Sequence, residues 1–186
     1  MEEEEKIVEQ KSVELDKEEI RQLDRQLLLL RVPGSQAGPF YPLHLAAARG
    51  DVMAIKHMSV LGPDVNLPLT NQHLGDVPGN QTPLHLATRR GHLAAVNTLV
   101  EVFGSLLDMD AQDDDGDTCL HIASRQGSKS IVEALVDGGA DPTCARNKEG
   151  KLPIEIAKNH GVFQVLQLTE DRIRMLAEVK LIFDYN

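Results

Sequence analysis

Three of the seven histidines in this 186-residue chain occupy the same place in a recurring phrase: Tyr41-Pro-Leu-His44-Leu-Ala46, Thr82-Pro-Leu-His85-Leu-Ala87 and Thr118-Cys-Leu-His121-Ile-Ala123. Imidazoles suit metal ligation and proton transfer. Their regular recurrence argues for neither, because equivalent residues on neighbouring helices of a stack stand about 8–10 Å apart, too far to share one ion. Cys119 and Cys144, the only cysteines, show no metal-ligand or CxxC spacing and read as reduced structural thiols of a cytosolic or nuclear protein. Asp113, Asp115 and Gly116 faintly match a calcium loop. With Gly116 as its sixth residue, the first is Ala111 and the twelfth Ile122, so the bidentate acid is missing. There is no phosphate loop, nucleophile elbow or zinc-ligand spacing. The chain is not read as an enzyme, and no cofactor, metal or small-molecule substrate is expected.

Charge is the chemistry that remains. The residue pairs before Gly50, Gly91, Gly127 and Gly161 are Ala48-Arg49, Arg89-Arg90, Arg125-Gln126 and Asn159-His160. Arg49, Arg89, Arg90 and Arg125 thus recur in step with the phrase, and Asp114, Asp115 and Asp117 sit in a turn before one copy of it. Either the arginines form a binding stripe for a carboxylate-rich segment, or these charges pair with each other and with water. Nucleic acid is a poor fit, since the net charge is −10 and only 3% of residues are aromatic. No 18-residue apolar stretch suggests a membrane span, and the Met-Glu-Glu-Glu-Glu start lacks the basic, apolar pattern of a secretory leader.

The elements that carry these residues follow from the phrase, which returns a fourth time as Leu152-Pro-Ile-Glu155-Ile-Ala157. Leu43, Leu84, Leu120 and Ile154 mark spacings of 41, 36 and 34 residues. Thr82 and Thr118 are placed to cap a helix, and Pro42, Pro83 and Pro153 suit the first helical position. Each of the four glycines is expected to end that helix in a left-handed conformation. A second apolar run with spacings of three and four then follows, so each unit is a pair of short helices. Asp113-Asp-Asp-Gly116-Asp-Thr118 reads as a hairpin turn needing positive φ at Gly116, a place taken by Asn80 and Gly150 in the flanking units.

Phrase and period resemble the ankyrin repeat, with its 33-residue unit and T-P-L-H-x-A signature, over about residues 39–168. The resemblance implies an all-α ankyrin-repeat solenoid of helix-turn-helix units joined by β-hairpin-like loops. Four units are expected at about 39–79, 80–112, 113–146 and 147–168. It also implies that His44, His85 and His121 bond the backbone of the adjacent unit, and that the four arginines line a groove beside the hairpin tips. The function implied is protein–protein interaction by a monomer, the partner carrying an acidic segment. Two alternatives are an inhibitory or regulatory subunit of a kinase or transcription factor, and the ankyrin domain of a larger enzyme or channel.

Departures from the period add detail. The first spacing has eight extra residues, which make 67–80 an elongated hairpin finger containing His73, a further candidate contact. Three extra residues near Phe103-Gly-Ser-Leu-Leu107 are expected to prolong the second helix of unit two. Asp64-Val65-Asn66 resembles the segment that asparaginyl hydroxylases modify in ankyrin proteins; the other reading is that Asn66 bonds backbone in its turn. Residues 1–38 are expected to form an acidic flank with a helix at about 17–30, where Ile20, Leu23, Leu27 and Leu30 share a stripe that either caps the first unit or binds a partner. A second capping helix is expected at 169–186, starting at Thr169.

Overall fold

A computed structural model of the chain describes residues 42–60, 64–69 and 78–184. Contacts divide the chain into residues 1–42 and 43–186, and apart from Pro42 everything described belongs to the second unit. The helix expected at 17–30, the start of the first repeat, and His73 with most of the finger lie outside the described residues.

Among the described residues seven α-helices appear in order: α1 Pro42–Arg49, α2 Val52–Ser59, α3 Pro83–Arg89, α4 Leu93–Phe103, α5 Cys119–Gln126, α6 Lys129–Asp137 and α7 His160–Asp184. The described residues also include two 3-10 turns, Gly104–Leu106 and Pro153–Ile156. No strand longer than one bridge occurs among the described residues. Helices α3 and α5 and the turn at 153–156 pack in one row, and α2, α4, α6 and α7 pack in a second. Leu84, Leu120, Val96, Leu99, Val132 and Leu135 fill the space between the rows and are fully buried. This is the all-α repeat solenoid that the phrase implied.

Local chemistry accounts for the boundaries. Asn80 takes φ 62°, the only positive value at a described residue other than glycine, and Gly116 takes 74° in the same turn one unit later. Helix α4 runs to 11 residues against eight in α2 and nine in α6, so the extra residues do prolong it. An antiparallel bridge closes the base of the finger: Leu69 N–H donates to Gln81 at 2.8 Å and Gln81 N–H to Leu69 at 3.3 Å.

Unit four departs from expectation. Gly161 does not end a helix but lies inside α7, and the preceding helix has shrunk to the 3-10 turn. Nor does Thr169 begin a new helix. Its hydroxyl donates to the Val165 carbonyl at 2.8 Å, a bond made inside a continuous helix. With no proline or glycine from Val162 to Asp184 to interrupt it, α7 is one 25-residue helix.

Candidate partner-binding site

The histidines hold units together. Thr82 and Thr118 each donate their backbone N–H to Nδ1 of His85 and His121, at 3.3 and 3.1 Å. A backbone N–H can only donate, so the ring proton sits on Nε2. From there it reaches the next hairpin, at the carbonyl of Asp117 (3.3 Å) for His85 and of Lys151 (2.9 Å) for His121. His44 Nε2 meets the Leu67 carbonyl at 2.8 Å in the same way. Burial lowers the pKa of all three, that of His44 to about 4, which keeps the rings neutral.

The row of arginines proves to be two rows. One residue along a helix is about 100° of rotation, and that step separates Arg89 from Arg90. Arg89 turns towards the hairpins: it donates to Asp113 Oδ2 at 2.9 Å and to Gln81 Oε1 at 3.3 Å, while Gln81 donates to the same Asp113 oxygen at 2.8 Å. Arg125, its equivalent one unit on, forks onto both oxygens of Asp117, and Asn147 donates to Asp117 Oδ1 at 3.0 Å. Burial works to raise the Asp117 carboxyl, but the bonds from Arg125 and Asn147 outweigh it and hold the group below its usual range. Arg49 and Arg90, the equivalent pair on the next position, are exposed and form no ion pair among the described residues.

The three candidate acids also separate. Asp117 is buried inside its pair with Arg125, whereas Asp114 and Asp115 are exposed at the hairpin tip. The tips are laced by backbone: Asp114 N–H donates to Gly79 and Lys148 N–H to Asp115, both at 2.9 Å. An open cleft of about 290 Å³ lies there, lined by Asp115, Asp117, Arg125, Asn147, Lys148 and Glu149. Sequence reasoning named three of these six and missed Asn147, Lys148 and Glu149. The recurrence of an amide or acid eight residues before each arginine, at Gln81 and Asp117, was the available signal.

The Asn66 side chain bonds backbone, but that of the next unit rather than of its own turn. Its Nδ2 donates to the Leu106 carbonyl at 2.7 Å, and its Oδ1 accepts Asp108 N–H at 2.8 Å. Cys119 is buried and Cys144 exposed, both unbridged. Burial and the neighbouring Asp110 charge push the Cys144 thiol up to about 12, so it is poorly suited to act as a nucleophile. No cluster of groups able to hold a metal occurs among the described residues.

Paired helices stacked in two rows and stitched by histidines and hairpin tips define a repeat scaffold, a class whose surface is its working part. A family profile described as "Ankyrin repeats (3 copies)" matches residues 43–146 and again 101–172, and the chain belongs to the ankyrin-repeat family. It is 41% identical over 70 residues to "Regulatory protein SWI6" of Saccharomyces cerevisiae, covering 38% of this chain and 9% of that protein. To "NF-kappa-B inhibitor alpha" of Sus scrofa it is 40% identical over 105 residues, 54% of this chain and 30% of the relative. To "Ankyrin repeat and SOCS box protein 11" of Danio rerio it is 33% identical over 127 residues, 68% and 39%. The chain thus spans well under half of each. Ankyrin repeats are protein–protein interaction modules, and no described helix is long and apolar enough to cross a membrane.

Proposed function

We propose that this array binds a protein partner on the face beside the hairpin tips, and that Arg49 and Arg90 are its anchoring cations for an acidic segment. The observation that supports this is the division of the arginines. Arg89 and Arg125 are spent on buried carboxylates, while Arg49 and Arg90 are exposed and without an ion pair among the described residues. Free guanidinium groups on successive units suit carboxylates through charge-assisted bonds. The exposed acids Asp114 and Asp115, with the open cleft beside Asp115, suit basic residues that flank the acidic segment and so extend the contact towards unit four. The sequence also offers His73 and the finger at 67–80 as contacts for that partner. In a chain of net charge −10 such a partner is repelled at long range and held only in register, so binding is selective and weakens with salt.

The likeness to a protein named as an inhibitor and to one named as regulatory supports a regulatory role for the complex, carried out by a monomer in the cytoplasm or nucleus. The test is a display of acid-rich peptides probed with the natural chain and with Arg49→Glu/Arg90→Glu. Binding should be lost in the double variant, whose melting curve should match that of the natural chain. Equal binding by both would remove the arginines from the contact. Arg89→Glu is the informative contrast: it strands the buried Asp113 carboxylate and should lower stability by about 3 kcal/mol.

A further inference from the structure

The two polar junctions of the array use the same three groups with two of them exchanged. Between units two and three the preceding unit supplies an amide, Gln81, with Arg89, and the following hairpin supplies a carboxylate, Asp113. Between units three and four the preceding unit supplies the carboxylate, Asp117, with Arg125, and the following hairpin supplies the amide, Asn147. Asp113 and Asn147 otherwise do the same work. Asp113 Oδ1 accepts the N–H groups of Asp115 and Asp117 at 2.9 Å, and Asn147 Oδ1 accepts those of Glu149 and Lys151 at 3.0 Å. Either residue type therefore builds the hairpin, and hairpin geometry alone does not require the exchange. Gln81, Asp113, Asp117 and Asn147 are all buried.

We infer that the exchanged acid and amide specify which unit stacks on which. Each natural junction holds one guanidinium, one carboxylate and one amide, so its charges balance. If unit two met unit four, Arg89 would face two amides, Gln81 and Asn147, with no anion. If unit three met the unit three of another copy, Asp117 and Asp113 would bring two buried carboxylates to a single guanidinium, Arg125. The first leaves a half-buried guanidinium without an anion and the second buries an uncompensated carboxylate, both costly where solvent is largely excluded. Arrays of similar units are exposed to skipped and swapped stacking as they fold. Polar groups whose pairing works in one register only are an established means of excluding such partners. The first junction is set apart from both: in the repeat register of the sequence its three positions are Phe40, Ala48 and Val77, all apolar.

The experiment uses the full chain with Gln81→Glu alone and with Gln81→Glu/Asp113→Asn together. The single variant places two carboxylates on Arg89 and should shift the folded-to-unfolded ratio by about tenfold or more in urea titrations. The double variant recreates the arrangement of Asp117, Arg125 and Asn147 and should recover to within about threefold of the natural chain. In the double variant unit two also fits unit four. Refolded from urea at the same concentration, it should leave more dimer or slow-folding species than the natural chain, read by light scattering and refolding kinetics. A double variant no more stable than the single one would show that the positions are not a matched set. A double variant that is stable but refolds with the same species and phases as the natural chain would show that the set carries no information about stacking order.

Discussion

In units two and three the fourth residue of the repeated phrase is a buried histidine; in unit four it is Glu155, exposed to solvent. All three do the local part of the task. His85 and His121 accept the N–H of Thr82 and Thr118, and Glu155 accepts that of Leu152 at 2.6 Å. Only the histidines have a second polar atom that reaches forward to a following hairpin. The helices differ accordingly: α3 and α5 run seven and eight residues, whereas unit four keeps a four-residue 3-10 turn. Its Leu152, Ile154 and Ile156 are all partly exposed. The contrast teaches that an inner helix of this array owes its length to a neighbour as well as to its own cap, in keeping with the weak stability of isolated short helices.

The sharpest break of that comparison is in the core. Leu120→Ala should cost about 2–5 kcal/mol, since its side chain is wholly enclosed between units. Ile154→Ala, at the equivalent place in unit four, should cost about 1 kcal/mol. Urea unfolding of the two variants measures the difference, and equal losses would mean that unit four is packed as tightly as unit three. Next in size is the histidine itself. His121→Ala removes both the local and the forward bond and leaves the Lys151 carbonyl without its donor, for a loss of about 1–3 kcal/mol. Glu155→Ala should move the urea midpoint less than any of these.

The pH dependence also has a fixed direction. His44, His85 and His121 are neutral in the folded array because burial lowers their pKa, whereas unfolded they protonate near the ordinary 6.5. The unfolded chain therefore binds more protons below that value. Stability is complete above about pH 6.5 and declines as the pH falls, by up to about 1.4 kcal/mol per pH unit for each ring. For His44 the decline ends near pH 4. Melting temperatures should fall between pH 7 and 5, less steeply in His121→Asn than in the natural chain. A profile of the same slope in both would mean that His121 does not stay neutral when folded.

Much of this was legible in the residues. Pro83 at a first helical position, the glycines after α3 and α5, and Asn80 and Gly116 in their turns follow local rules, satisfied within a few residues, and they marked the ends of those two helices. The row of arginines was legible as a row but not as two, because the direction of each guanidinium depends on where the next hairpin lies. Asp117 was read as a tip acid for the same reason: burial is a property of the stack, not of the hexapeptide around it. Gly161 and Thr169 misled because glycine and threonine are permissive signals. Gly161 falls in the first turn of α7, and Thr169 falls where its hydroxyl finds a carbonyl one turn back. Neither residue forces a boundary when the surrounding apolar pattern continues the helix.

The stitches between hairpins set a limit on how far apart in the sequence bonded partners stand. Asp114 reaches back to Gly79 and Lys148 to Asp115, and the longest described hydrogen bond, from His92 to Ala48, spans 44 residues. That span depends on the size of a unit rather than on how many units there are. Lengthening the array dilutes relative contact order, the topological quantity that slows folding in sandwiches and barrels. Units could thus be duplicated in such a chain without lengthening the search each one makes for its neighbour.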